Sequence, residues 1–349
     1  MFENKKKVIN KNTYNSSIFK FIDPNNNDKL SHISGIDLQN LIVLINDYYI
    51  SLRDQLYFEQ NVTFGLELEF ENAKREKIQD ELNKLFPEKY WLLKNDSSLN
   101  NGAEINSPIL KDNKKSWEDL NKVCSILKKY ASIDVNSGGH IHVGTQALGK
   151  DVNSWLNFIQ FWSVYENIIY RFSCGEFLTT RPRILNYAKP LSKEFMHIYK
   201  ELSDGSLSLG KIIDQISPQK YQAVNFDNVL VNCCDRFAEF NTIEFRCPNG
   251  SLNPVIWQNN VNFFVHILSY CKSVMFDNDI IKKRYKINKD KFSELKWYDE
   301  IYLDQALELC DMIFTNNFDK VYFLKQYLKS FQVCKNHSNY IKARRLTKC

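Results

Sequence analysis

The residues whose spacing most clearly suggests chemistry are two histidines in residues 137–144 (SGGHIHVG). His140 and His142 stand two positions apart, and Ile141 and Val143 fill the alternate positions. In a β-strand, residues i and i+2 point to the same face, so we expect both imidazoles on one face of a sheet. Neutral imidazole is a common metal ligand. A structural histidine pair is the alternative that this motif leaves open by itself.

Two further segments carry acidic residues. In residues 65–70 (GLELEF), Glu67 and Glu69 share one face of a predicted strand, while apolar residues occupy the other face. Asp96 and Glu104 follow in a turn and in the short extended segment after it. Each acidic pair alone is also typical of a solvated strand face or a surface loop.

Arginines accompany a third alternating segment, residues 242–246 (TIEFR). Glu244 and Arg246 stand at positions i and i+2, a spacing that a simple ion pair on one strand face also explains. Arg181 and Arg183 lie in a stretch without periodicity, where a solvated loop is the alternative.

Together these segments repeat one design, in which polar pairs at period two are backed by apolar residues. If their strands belong to one sheet, a single face would carry Glu67, Glu69, Glu104, His140, His142, Glu244 and Arg246. Clustered carboxylates require cations, because burying an unpaired charge costs several kcal/mol. Oxygen ligands with one imidazole suit Mg²⁺ or Mn²⁺ better than a structural zinc. Hard ions beside an arginine are typical of nucleotide phosphoryl transfer, and without a P-loop the phosphates would be held by metals and arginines.

The segments between these motifs predict an α+β fold with an antiparallel sheet. Helices alternate with short strands, and no strand is a long β-branched run that would favour a parallel sheet. The predicted strands are 62–70, 91–93, 102–105, 137–144, 221–226 and 242–246. The predicted helices are 35–56, 72–85, 116–131, 152–172 and 253–276, with helical hairpins from 277 onward. The remaining segments predict an extended arm at 1–33 and irregular structure at 173–220, and the Tyr and Asn of 221–225 can simply be packed and hydrogen-bonded.

Composition places the chain among ordinary globular proteins. Of its 349 residues, 44% are hydrophobic and 25% are charged, and the net charge of +5 does not by itself predict a nucleic-acid partner. Nine cysteines without C-x-x-C pairs favour a reducing compartment. The polar start of the chain does not resemble a signal peptide, and no apolar run reaches the length of a membrane span. We therefore expect a cytoplasmic protein that acts without membrane or nucleic acid.

The motifs G-x-E-x-E, G-x-E, S-G-x-H-x-H-V-G and I-E-F-R, in this order, resemble the carboxylate–amine ligases of the glutamine synthetase superfamily. More narrowly, TFGLELEF, GAEINSP, GGHIHVG and TIEFRCPNG resemble the amidoligase family, which is related to glutamate–cysteine ligases. The resemblance spans about residues 62–275. It implies a curved antiparallel sheet of glutamine synthetase-like type, with helices on its convex face and the site in its concave face. The predicted division is an N-terminal arm and helix at 1–60, a catalytic domain at 61–276 and a C-terminal helical extension at 277–349.

The resemblance also implies two metal sites. Glu67, His140 and Glu244 would hold one ion near the nucleotide phosphates. A second ion would be held by other acids, namely Glu69, Glu104 and Asp96.

Four further residues receive roles from the same resemblance. His142 would contact an ATP phosphate, and Arg246 would neutralise the transferring phosphoryl group. Arg181 or Arg183 would hold phosphate or the carboxylate of the substrate. No residues match those by which glutamine synthetase recognises glutamate and ammonia, so the chemistry carries over and the substrates do not.

The implied reaction is ATP- and Mg²⁺-dependent formation of an amide or peptide-like bond through an acyl phosphate. Its partners would be a small-molecule or peptide carboxylate and an amine. Two alternatives remain from the sequence. One is a phosphotransferase or ATP-binding pseudoenzyme on the same scaffold, and the other is a non-enzymatic interaction protein with merely solvated charged strands.

Overall fold

An antiparallel sheet of seven strands lies at the centre of this computed structural model. Its strands are β1 (Thr63–Phe70), β2 (Leu92–Lys94), β3 (Ala103–Asn106), β4 (Leu110–Lys111), β5 (Gly139–Gly144), β6 (Val224–Asn225) and β7 (Thr242–Phe245). They lie in the order β2-β3-β1-β5-β7-β6, and the short β4 also pairs with β1. The α+β class and the antiparallel sheet are thereby confirmed, while the glutamine synthetase-like type stays a prediction.

Strand register determines which side chains share a face. Directly opposed residues on neighbouring strands are Glu67 with His140, Glu69 with Glu104, and His142 with Glu244. Leu66 and Leu68, which alternate with the acids of β1, are each 1% exposed on the opposite face. Because side chains alternate along a strand, this register places the acids and histidines on one face and the apolar core on the other.

Twelve α-helices lie within the described residues. They are α1 (Gly35–Asp47), α2 (Arg75–Leu85), α3 (Lys114–Tyr130), α4 (Val152–Ser173), α5 (Ile184–Tyr187), α6 (Ser192–Asp204), α7 (Leu209–Ile216), α8 (Pro254–Lys272), α9 (Asn278–Asn288), α10 (Leu295–Asp299), α11 (Leu303–Ile313) and α12 (Asn317–Leu328). The predicted start of α8 is confirmed, because Asn253 Oδ1 accepts the Val255 N–H and Pro254 occupies the first turn.

Three helices cover the apolar face of the sheet through aromatic contacts. Phe64 of β1 stacks on Trp117 of α3 at 4.9 Å. Phe245 of β7 stacks on Phe264 of α8 at 4.2 Å and on Trp162 of α4 at 5.4 Å. Buried aromatic rings supply large apolar area, so these contacts fix the sheet against the helical layer. The acid-bearing face is left free of this layer.

The C-terminal helices join the same core. Phe323 of α12 stacks on Phe172 of α4 at 5.1 Å and on Phe263 of α8 at 5.3 Å. The helical nature of the segment after residue 277 is confirmed as far as Leu328, and a small sheet of β8 (Gln332–Val333) and β9 (Ile341–Lys342) follows. The division of the chain at residues 60 and 276 stays a prediction.

The prediction of one helix over residues 35–56 was wrong in its second half. Helix α1 ends at Asp47, and the described residues 49–59 have no regular structure. Side chains distant in sequence bind the backbone there, since Asp112 accepts the N–H groups of Leu56 and Phe58 and Gln258 accepts that of Arg53. Tertiary hydrogen bonds thus replace the helical ones that the apolar spacing suggests.

The prediction of irregular structure over residues 173–220 was also wrong, because α5, α6 and α7 lie within it. The N-terminus of α6 has no capping side chain of its own. Instead, the fully buried Glu166 of α4 accepts the N–H groups of Leu191 and Ser192 at 2.8 Å each. A carboxylate from another helix therefore satisfies the first N–H groups of α6, a cap with no local sequence signature.

The structure describes residues 29–32, 35–47, 49–59, 61–88, 90–99, 101–134, 136–205, 207–229, 241–329, 332–333 and 341–342. Most of the arm predicted for residues 1–33 lies outside these residues. Among the described helices, none combines the length and apolar character needed to cross a bilayer.

Glycine is required where strand β5 meets helix α8. A Cβ on Gly139 would collide with the indole ring of Trp257, which is fully buried. A Cβ on Gly65, which lies on neighbouring β1, would meet only ordinary contacts at 3.7 Å and beyond. The absence of a side chain at residue 139 therefore allows α8 to approach the strand that carries both histidines.

The Gly139→Ala substitution should lower the free energy of unfolding by about 1–3 kcal/mol, because overpacking forces the Trp257 ring to shift. Urea unfolding followed by tryptophan fluorescence measures the change. Gly65→Ala is the matched control on an adjacent strand and should change stability by less than half as much. Equal losses for the two variants would contradict the packing role of Gly139.

Candidate active site

Three carboxylates converge on the imidazole of His140, which is 7% exposed. Its Nδ1 lies 2.5 Å from Glu67 Oε2 and 3.3 Å from Glu244 Oε1. Its Nε2 lies 3.5 Å from Glu69 Oε1. Burial alone would lower the pKa of His140, but the hydrogen bond with Glu67 and the charge of Glu69 raise it above its usual value. In its protonated form, this ring would partly neutralise the surrounding acids.

Glu67 binds both histidines of strand β5. Its Oε2 faces His140, and its Oε1 lies 3.1 Å from Nε2 of His142. The second nitrogen of His142 lies 3.4 Å from Thr242 Oγ1. Burial tends to raise the pKa of Glu67, but hydrogen bonds from the two histidines outweigh it and lower the pKa well below its usual range. Both imidazoles therefore project to one face, as their spacing predicts.

A second acidic group, formed by Glu69 and Glu104, lies across strands β1 and β3. Burial, together with the charges of Glu67 and Glu69, raises the pKa of Glu104 to about 7. The backbone N–H of Gly138 donates to Glu69 Oε2 at 2.6 Å. Two sets of side chains offer ligand atoms within 4.8 Å of one another, namely Glu67, His140 and Glu244, and Glu69, Glu104 and His140.

Two arginines border these acids. The buried Arg181 places Nη1 at 3.8 Å from Glu69 Oε2, and its Nη2 donates to the backbone oxygen of Arg246 at 3.0 Å. Arg246 donates from Nη1 to Glu244 Oε1 and from Nε to the backbone oxygen of Tyr187 at 3.1 Å. A Cβ on Gly138 would occupy the present place of the Arg181 guanidinium, so the absence of a side chain there leaves room for it. The arginines thus lie within reach of both acidic groups.

A pocket of about 430 Å³ opens above the second acidic group. Its lining comprises Glu69, Asp96, Ser97, Ser98, Asn136, His140, Arg181, Arg183, Tyr187, Lys220, Tyr221 and Arg246. Asp96 lies in its wall and binds the N–H and hydroxyl of Ser98, outside both sets of clustered ligand atoms. Arg183 lies exposed at the rim. A larger cavity of about 840 Å³ lies elsewhere, between α8, α11 and residues 57–59, and none of the predicted site residues lines it.

The sequence interpretation gave no site role to several residues that surround the site. Asn225, which was expected to be packed and hydrogen-bonded, is buried and donates to Glu244 Oε2 at 2.8 Å. Asn106 donates to Glu67 Oε1 at 3.5 Å, and Lys220 and Tyr221 line the pocket. The positions of the two asparagines could have indicated these contacts, because each asparagine lies directly opposite a predicted acid on the neighbouring strand.

The chemistry of these side chains fits divalent cations. Four carboxylates and one imidazole form an oxygen-rich set of the kind that Mg²⁺ or Mn²⁺ prefers. His140 Nδ1 faces Glu67 and Glu244, whereas Nε2 faces Glu69, the arrangement in which a second carboxylate orients a ligating imidazole. The assignment of each residue to a metal ion stays a prediction.

Comparison with protein families identifies a family for this chain. The model of a family described as a putative amidoligase enzyme matches residues 87–268, more than half of the chain. The matched segment contains Glu104, both histidines, Glu244 and Arg246, while β1 with Glu67 and Glu69 lies just before it. No curated protein sequence matches the chain. The chain belongs to this amidoligase family.

Proposed function

We propose that this amidoligase joins a carboxylate to an amine with ATP and Mg²⁺ or Mn²⁺, through an acyl phosphate. Family membership supports amide-bond formation. The use of ATP and a divalent cation, with an acyl phosphate as intermediate, is supported by a second observation. Glu67, Glu69 and Glu244 converge on His140, within reach of the Arg246 guanidinium. This arrangement suits the transfer of a phosphoryl group whose charge must be neutralised.

The clustered side chains would hold two ions. Glu67, Glu244 and Nδ1 of His140 would hold one, and Glu69 with Glu104 would hold the other. Such ions, when bound, neutralise phosphate charge and align the attacking and leaving oxygens. Asp96, which lies in the pocket wall, would reach this second ion only through a water molecule or a turn of its loop.

The pocket above Glu69 would receive the acid substrate. Arg181 and the exposed Arg183 would bind its carboxylate or the phosphate that it acquires. His142, on the other side of Glu67, would donate to an ATP phosphate. The proposed substrates are therefore a small-molecule or peptide carboxylate and an amine.

The proposed reaction has two steps. A carboxylate oxygen of the substrate attacks the γ-phosphorus of ATP, so that ADP leaves and an acyl phosphate forms. The amine then attacks the carbonyl carbon, loses a proton, and expels phosphate through a tetrahedral intermediate. Arg246, which is fixed between Glu244 and the Tyr187 backbone oxygen, would stabilise charge on the transferring group. A phosphotransferase on this scaffold would transfer the phosphoryl group without forming an amide bond. A non-enzymatic interaction protein would catalyse neither step.

Replacing Glu67 or Glu244, the two acids that lie beside Nδ1 of His140, should weaken cation binding without unfolding the protein. For Glu67→Gln and Glu244→Gln we expect Mn²⁺ affinity to fall at least about tenfold, because even residues that merely support ligands are worth that much. Isothermal titration calorimetry measures the affinity. Circular dichroism should show that both variants remain folded, because glutamine keeps the size of glutamate and one of its accepting oxygens.

The control for these variants is Glu88→Gln, an exposed carboxylate outside the site. It should bind Mn²⁺ as the wild type does. If Glu67→Gln and Glu244→Gln also bind Mn²⁺ with wild-type affinity, the proposed cation site is wrong.

Hydroxylamine, a small nucleophile, should replace the natural amine and trap the acyl phosphate as a hydroxamate. With ATP, Mg²⁺ and an accepted carboxylate, the protein should release ADP and phosphate in equal amounts. Arg246→Ala should lose on the order of a thousandfold in rate, since a positioned cation on a transferring phosphoryl group has about that value. Arg246→Lys should recover only part of the rate, because lysine lacks the planar fork.

Arg75→Ala, in helix α2 and outside the pocket lining, is the control and should retain the wild-type rate. AMP and pyrophosphate as products would exclude the acyl-phosphate route. An unchanged rate in Arg246→Ala would exclude the role given to Arg246.

A further inference from the structure

We propose that Asn225 is a positioning residue that fixes the carboxylate of Glu244 toward His140. Its effect on catalysis rests on the proposed function, whereas its effect on the orientation of Glu244 does not. Asn225 lies on the two-residue strand β6, directly opposite Glu244 in the register of β6 and β7. Both residues are buried, at 4% and 5% exposure.

The orientation of the Asn225 amide is determined by two hydrogen bonds. Its Oδ1 accepts the backbone N–H of Asp227 at 3.0 Å. Its Nδ2 donates to Glu244 Oε2 at 2.8 Å. An amide turned over would place an oxygen against the Glu244 carboxylate and an NH₂ group against the Asp227 N–H, so both contacts would be lost. The side chain therefore presents only a donor to Glu244.

Because of this donor, the two oxygens of Glu244 have different partners. Oε2 is held by Asn225, while Oε1 lies 3.3 Å from His140 Nδ1 and accepts from Arg246 Nη1. The terminal torsion of glutamate is broad, so a carboxylate without a second partner turns easily. The guanidinium of Arg246 is the competing partner, because arginine favours paired contacts with both carboxylate oxygens. Asn225 holds Oε2 away from that pairing and keeps Oε1 beside His140.

The strand itself does not depend on the Asn225 side chain. Ser217 Oγ donates to the backbone oxygen of Val224 at 3.0 Å, and the Arg246 N–H donates to that of Ala223 at 2.9 Å. Val224 also pairs with Phe245 in the sheet. Removal of the Asn225 amide should therefore change Glu244 while β6 remains in place.

The test compares Asn225→Ala with the wild type and with Asn121→Ala, an exposed site on helix α3. Crystal structures of the metal-free proteins should show Glu244 turned onto Arg246 only in Asn225→Ala. Calorimetry should show about a 10–100-fold loss of Mn²⁺ affinity in that variant, the range typical of residues that orient metal ligands. The rate constant kcat should fall, with KM for the acid substrate nearly unchanged.

A Glu244 carboxylate that keeps its place in Asn225→Ala would overturn the inference, as would wild-type Mn²⁺ affinity in that variant. If the wild-type protein itself binds no Mn²⁺, the proposed function fails, yet the crystal structures still decide whether Asn225 positions Glu244. The outcomes for the two claims are therefore distinguishable.

Discussion

The electrostatic balance among four closely spaced carboxylates is the constraint on which this site depends. Glu69 and Glu244 are buried, and Glu67 and Glu104 are half-buried on the same sheet face. Without positive charge between them, their repulsion and loss of hydration would cost several kcal/mol. In the protein alone, His140, Arg181 and Arg246 lie among these carboxylates, and burial together with the charges of Glu67 and Glu69 raises the pKa of Glu104 to about 7. Divalent cations would meet the need for positive charge more fully, which links the fold to the proposed chemistry.

The sheet satisfies this constraint through register and through close approach of the backbone. Antiparallel pairing of β1, β5 and β7 places the acids opposite the histidines, and a shift by one residue would turn them into the core. The Gly138–Gly139 pair lets Arg181 approach from one side and Trp257 from the other. Hydrogen bonds from Asn225 and the Gly138 backbone then orient individual carboxylates. Orientation of this kind is what distinguishes a binding site from a merely charged surface.

The sequence pattern was sufficient to predict which residues share the acid-bearing face of the sheet. It was insufficient to predict the segments and contacts around that face. Period-two spacing identified Glu67, Glu69, His140, His142 and Glu244 because strand geometry alone makes such residues neighbours. The irregular backbone at Leu56 and the start of α6 involve hydrogen bonds to Asp112 and Glu166, side chains that are distant in sequence, so local periodicity could not reveal them. The partner of Asn225 could not be identified for a related reason, since its contact with Glu244 follows from the pairing of β6 with β7 rather than from residue type. The clustering of Arg181 with Glu69 likewise required the path of the loop between α4 and α5.

The most direct test of the central claim is an anomalous difference map from a crystal of the protein soaked with Mn²⁺. Two bound ions should give two peaks on the acid-bearing face of the sheet. One should lie within about 2.5 Å of Nδ1 of His140 and of oxygens from Glu67 and Glu244, and the other within that distance of oxygens from Glu69 and Glu104. A map without a peak beside His140, at Mn²⁺ concentrations that support binding in solution, would contradict the proposed cation site at His140.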